Sequence, residues 1–141
     1  MSRLQIVREW FDEVWIRQEL GALGRYFVDE NAAQGVRGLD LHPEDFRELV
    51  PAMRRMIANP VIEILKHFES EDWLWVLVQV AGKCPRSAAP IEFSGQMAIR
   101  FSGDQIAEAY NHFDFIGFFE QTGALPPETM ALCLSGETLG L

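Results

Sequence analysis

The chain has 141 residues and a mass of 16.1 kDa, the size of a single domain, residues 1–141. Apolar residues make up 48% and charged residues 23%, a globular balance that excludes disorder, collagen and coiled coil. Twelve basic against 21 acidic residues leave a net charge of −9, which argues against nucleic acid and anionic membrane surfaces as partners.

Arg3, Arg8, Asp12 and Glu13 interrupt any apolar leader. The longest apolar-rich run, Trp73 to Gly82, is half of what a membrane-spanning helix needs. Cys84 and Cys133 make no disulfide framework. A cytoplasmic protein is expected.

The first segment reads as a helix. Leu4, Val7, Phe11, Val14 and Trp15 recur at spacings of three and four, with Trp10 beside them and Ser2 as cap. Gly21 and Gly24 bracket a short second helix ending near Tyr26 and Phe27. Asn31 to Val36 is a candidate short strand, and Gly35 and Gly38 a turn. Pro43 opens a third helix with an apolar stripe of Phe46, Leu49, Val50, Met53, Met56 and Ile57. Pro51 should kink or split it, and Asn59-Pro60 should end it.

From Val61 the period changes to two. Strands are predicted over 61–69, 73–82, 91–101 and 106–115, with turns at Glu71-Asp72 and at 102–105. Gly123 and Pro126-Pro127 close the sheet region, and Thr129 to Leu134 suits a short helix. Helices followed by a meander of long strands predict an α+β fold, with the helices on one face of a curved sheet. Trp73–Gly82 is apolar on both faces, so the second face also needs cover. A homodimer through the sheet would supply it.

Residues 93–123, FSGQMAIRFSGDQIAEAYNHFDFIGFFEQTG, carry a resemblance. A strand bearing Gly95 and Arg100 precedes a turn and strand with Gly103, Ile106, Glu108 and Tyr110. Asp114 and a tail of Gly117, Gln121 and Gly123 follow. This pattern, with the order of elements, resembles the SnoaL-like polyketide cyclases of the nuclear transport factor two-like superfamily. The resemblance implies a cone-shaped antiparallel sheet with the N-terminal helices on its concave face. It also implies proton abstraction beside a carbonyl, then aldol closure, without a metal or organic cofactor. Tyr110 stands where a Trp is usual.

Alternation on the last strand puts Glu108, Tyr110, His112 and Asp114 on one face. The resemblance turns that face into the cone and makes Asp114 the general base. His112 and Tyr110 are then candidate donors to an enolate oxygen. A structural His112–Asp114 pair is the competing reading. Tyr110, Trp73, Trp75, Trp15 and Tyr26 are candidate walls for a flat, apolar ligand, the ordinary alternative being core. Arg100 and Glu108 read as a cross-strand ion pair. His42, His67 and His112 sit on separate elements without ligand spacing, so no metal is expected.

Two functions follow. One is a cofactor-independent cyclase or isomerase acting on an apolar, polyketide-like carbonyl compound. The alternative is a non-catalytic ligand-binding or interaction module, its cavity filled by residues such as Phe113, Phe115, Phe118 and Phe119.

Overall fold

In the computed structural model, which describes residues 1–29 and 42–140, the chain opens with a capping box. Ser2 accepts from the Gln5 backbone N–H, and the Gln5 side chain accepts from the Ser2 N–H, both at 3.1 Å. Helix α1, Arg3–Trp10, buries Ile6, Val7 and Trp10. It widens directly into a π-helix, Phe11–Ile16. Wide bonds close it: Arg17 N–H reaches the Asp12 carbonyl, and Glu19 N–H the Glu13 carbonyl, at 2.9 Å each. The expected stripe shifts accordingly. Trp10, Phe11 and Val14 are buried, whereas Leu4 and Trp15 are half-buried. The short second helix is a 3₁₀-helix, Leu20–Arg25, capped at Tyr26.

A 3₁₀ turn, Pro43–Asp45, leads into α2, Phe46–Arg54. Pro51 does not split α2, contrary to expectation. Arg54, in the last turn, donates to the carbonyls of Trp15 at 3.0 Å and Ile16 at 2.7 Å. These two bonds offset the one that proline removes. The helix ends at Arg54, before Asn59-Pro60, which instead lies inside the first strand. A register shift and a positive φ of 51° at Asn59 accommodate the proline there.

The strands β1 (Ala58–Ser70), β2 (Trp73–Lys83), β3 (Pro90–Ser102) and β4 (Gln105–Phe113) form one antiparallel meander. The curved open sheet with its helices is the expected α+β arrangement. Residues 26–28 run beside β4: Val28 N–H reaches the Ile106 carbonyl and Ile106 N–H the Tyr26 carbonyl. The strand expected at Asn31 to Val36, and the turn at Gly35 and Gly38, lie outside the described residues.

β4 stops at Phe113, two residues short of its predicted end. Asp114 leaves the sheet as N-cap of α3, Phe115–Thr122, which ends at Gly123 with φ 85°. Helix α4, Thr129–Leu134, forms where expected.

The sheet's inner face carries Leu74, Val76, Val78 and Val80 on β2, and Ile91, Phe93, Met97, Ile99 and Phe101 on β3, all buried. Trp10 is the centre of the helix layer. Its ring meets Tyr26, Phe27 and Phe46 edge-on, with centroids 5.1–5.3 Å apart. At the other end α3 packs Phe118 on Phe93, 4.7 Å between centroids. Gly95 is needed there, because a Cβ would sit 2.2 Å from the Phe113 ring and 2.7 Å from the His112 carbonyl.

Candidate functional site

Asp114 stands where β4 turns into α3. Its Oδ1 accepts from the Gly117 N–H at 2.9 Å, and its Oδ2 meets no hydrogen-bond donor among the described residues. A side chain at position 117 would collide with that carboxylate, 2.3 Å from Oδ2, so Gly117 is part of the cap. Phe93, Phe113, Phe115, Phe118 and Phe119 lie around the junction, with neighbouring centroids 4.7–6.3 Å apart. Phe115 is 37% exposed, and Asp114 is exposed rather than enclosed. The expected apolar interior around Asp114 is therefore corrected to an aromatic rim.

His112 and Tyr110 need a larger correction. They share a face with each other and with Glu108, as alternation predicts, but that face points away from the helices. Their strand partners are Gln96 and Ala98, whereas buried Met97 and Ile99 pair with Asn111 and Ala109. Asp114 could not report the strand's facing, because it is not in the strand. Neither a hydrogen bond nor an ion pair joins His112 to Asp114. The structure thus does not bring the expected base and donors together.

On the outer face Tyr110 belongs to a different group. Its hydroxyl donates to Glu108, which also accepts from Arg100 Nε at 2.9 Å, so the expected cross-strand pair is present. The Tyr110 and Arg100 bonds hold the Glu108 carboxyl below its ordinary value. Trp73 stacks on Tyr110 at 6.4 Å, and Trp75 lies 4.9 Å from Phe68 while donating to Gln96 at 2.9 Å.

Trp15 and Tyr26 are in the helix layer, on the other side of the sheet. Trp15 meets Phe46 edge-on at 6.2 Å. Tyr26 is 5% exposed, and its hydroxyl donates to Glu13 at 2.6 Å. Glu13, on the π-helix, also pairs with Arg25. The Tyr26 bond, opposed by burial and helped by the Arg25 guanidinium, holds the Glu13 carboxyl below its ordinary value of 4.5. Burial and the Glu13 bond push the Tyr26 phenol above 10.

The signs follow from these shifts. A lowered carboxyl contributes stability above pH 4.5 that is lost as pH falls through its folded value. A raised phenol contributes stability below pH 10 that is lost as pH rises towards its folded value. Glu13→Gln is expected to flatten the acid limb of stability, read as urea midpoints between about pH 3 and 6. An unchanged acid limb would refute the coupling.

Sequence reasoning missed Asn111. It lies on the inner face opposite Met97, in a row with Val76, and its carboxamide oxygen is buried without a partner. The alternation that put Tyr110 and His112 on one face had already put Asn111 on the other.

Two depressions stand out on the surface of the described residues. One of about 550 Å³ lies between the π-helix and β1, lined by Phe11, Ile16, Val61 and Ile64 with Arg8 and Asp12. The other, about 480 Å³, lies between α3 and α4 against Met130 and Leu134. Neither touches Asp114, His112 or Tyr110. Among the described residues no three His, Cys, Asp or Glu side chains converge as metal ligands, and no helix is long and apolar enough to cross a membrane.

This arrangement, helices over one face of a curved antiparallel meander, is a ketosteroid isomerase-like fold. No protein-family model and no curated protein sequence matches the chain. Solved structures do. A SnoaL-like polyketide cyclase from Jannaschia superposes with a TM-score of 0.71 at 13% identity, covering 88% of this chain and 93% of that one. A protein with a ketosteroid isomerase-like fold from Catenulispora acidiphila, in complex with trimethylamine, gives 0.68 at 20%, covering 87% and 95%. A protein named as a hydroxylase, from Streptomyces galilaeus, gives 0.73 at 13%, covering 94% and 88%. At these identities the likeness is one of fold, and a fold does not by itself give a function.

Proposed function

We propose that the chain is a cytoplasmic small-molecule-binding protein of the cyclase or isomerase type, acting on a largely apolar carbonyl compound with Asp114 as general base. One observation carries this reading. The Asp114 carboxylate is fixed through one oxygen, open at the other, and set on a rim of phenylalanine rings. A flat ligand stacked on Phe113 and Phe115 would bring a carbon beside its carbonyl to the free oxygen. Proton transfer to Oδ2 leaves an enolate, which closes on a second carbonyl or is reprotonated elsewhere. A cyclase substrate would be polyketide-like, as the names of several fold relatives suggest. The test is turnover of a linear polyketide-like diketone by wild type and by Asp114→Asn.

The packing around Trp10 favours the second reading, a non-catalytic ligand-binding or interaction module. Four aromatic rings occupy the helix side of the interior. A wild type that binds such a diketone without converting it would decide for that reading.

The outer face supports a homodimer in either case. Trp73, Trp75 and Leu77 are half-buried and Phe68 is 61% exposed, a continuous apolar row on a sheet face that no helix of the described residues covers. A second copy offers the same row and fits it by twofold symmetry. Sedimentation at micromolar concentration is expected to show twice 16.1 kDa, and Trp75→Glu to return the monomer. A wild-type monomer alone at that concentration would remove the dimer.

A further inference from the structure

We infer that Gln121 is a positioning residue for Asp114, an inference that rests on the reading of Asp114 as general base above. Strand β4 ends at Phe113, opposite Gly95 on β3. The Asp114 N–H makes one more rung, to the Ser94 carbonyl at 2.9 Å, before the chain turns into α3. In that register a longer β4 would bring Ile116 opposite Glu92 as the next rung. Ile116 is helical instead. The N–H and C=O of Glu92 therefore face the side that β4 has vacated, and each needs another partner.

Gln121, in the last turn of α3, supplies both. Its Oε1 accepts from the Glu92 N–H at 2.8 Å, and its Nε2 donates to the Glu92 carbonyl at 2.8 Å. The carboxamide stands in for a peptide group of the strand that has turned away. The same Nε2 donates to the Gly117 carbonyl at 2.9 Å, and the Gly117 N–H in turn donates to Asp114 Oδ1 at 2.9 Å. A line of hydrogen bonds thus runs from the backbone of β3 through Gln121 and Gly117 to the carboxylate. Gln121 is exposed, so these bonds hold it and burial does not. Phe118 rests on Phe93, the neighbour of Glu92, and fixes how close α3 lies to the sheet. Ring packing is not directional, whereas the paired bonds of a carboxamide are. They set the direction of α3, and with it the direction in which the free Asp114 oxygen points. Proton abstraction from a stacked ligand depends on that direction.

The experiment follows aldol closure of a phenyl-capped linear diketone by wild type, Gln121→Met, Gln121→Glu and Asp114→Asn. Closure forms one carbon–carbon bond and carries one proton from carbon to oxygen, so substrate and product are isomers. Melting temperatures and NMR hydrogen exchange of the Gly117 amide are taken without ligand. Methionine matches glutamine in length and removes all three bonds. Ionised glutamate keeps the shape but donates to neither carbonyl, and it serves should methionine fail to fold. Assays run well below every melting temperature, so lost stability alone leaves kcat unchanged. In both Gln121 variants kcat is expected to fall roughly ten- to hundredfold, the cost of a misplaced reacting group, with KM held within about twofold. Their Gly117 amide is expected to exchange roughly tenfold faster, whereas in Asp114→Asn it stays protected because asparagine still caps. A kcat or a Gly117 exchange rate equal to that of wild type, or a loss carried by KM instead, overturns the role of Gln121, and an impaired Asp114→Asn then leaves the general base standing. Wild type that does not close the diketone, or Asp114→Asn that closes it equally well, overturns the general-base reading, and this inference with it.

Discussion

Asp114→Asn is expected to keep the melting temperature of the parent, and Asp114→Ala to lower it by a few degrees. Asparagine caps a helix as well as aspartate does, since either side-chain oxygen can accept from the Gly117 N–H. Alanine cannot, and a lost N-cap costs ~1 kcal/mol, which is roughly 2–8 °C in a domain of this size. The pair of variants separates two roles that one substitution confounds. As general base, Asp114 contributes through its free oxygen, and asparagine removes the basicity without removing the cap. Turnover should then fall by roughly 10²–10⁴-fold in both variants, while melting falls only in alanine. Equal turnover in parent and Asp114→Asn would leave Asp114 as a cap and nothing more. A melting loss in asparagine equal to that in alanine would deny even the cap.

Strand β3 was legible because a half-buried strand alternates, as it does from Ile91 to Phe101, and β2 because it is a short run apolar on both faces between turn signals. The end of β4 was not. Asn111, His112, Phe113, Asp114 and Phe115 continue a period of two on paper, yet the chain turns helical after Phe113. The helix had its own signals: a capping Asp114, apolar Phe115, Phe118 and Phe119 at spacings of three and four, and Gly123 just past the last turn. Taking Asp114 as strand then propagated. Its assumed facing was handed by parity to Tyr110 and His112, and both were turned to the wrong side of the sheet. The family resemblance located Asp114 in the chain but faced it into the cone, whereas the structure sets it exposed at the strand–helix junction. The π-helix is a different kind of miss. A heptad-like stripe does not say whether a turn holds 3.6 residues or more, and the widening is seen only in the bonds that close it. The charged pair of Arg100 and Glu108 was legible because the hairpin register fixes which residues face each other.

Trp10→Ala is expected to be the most destabilising of the tryptophan substitutions, by about 3–5 kcal/mol, the usual cost of emptying a buried aromatic site. The sequence alone placed Trp10 beside the apolar stripe. The structure places it at the centre, 4% exposed, with three rings packed edge-on around it. Its removal deprives Tyr26, Phe27 and Phe46 of a common partner at once, and these rings sit on two separate segments of the helix layer, residues 26–27 and α2. Collapse around the hole would have to move all three, so relaxation should recover little of the loss. Against a total stability of ~5–15 kcal/mol, that is a large fraction. Trp15→Ala is the internal control. Trp15 is half-buried and meets one ring, so it should cost clearly less. Trp75→Ala reports on the other face of the sheet. Its cost should grow with protein concentration if a second copy covers it, whereas that of Trp10→Ala should not change. Urea unfolding of the three variants at two protein concentrations reads all of this in the midpoints. A Trp10→Ala midpoint no lower than that of Trp15→Ala would mean that the helix layer is not held by this aromatic cluster, and the interior would then be open enough to favour the enzyme reading over the filled one.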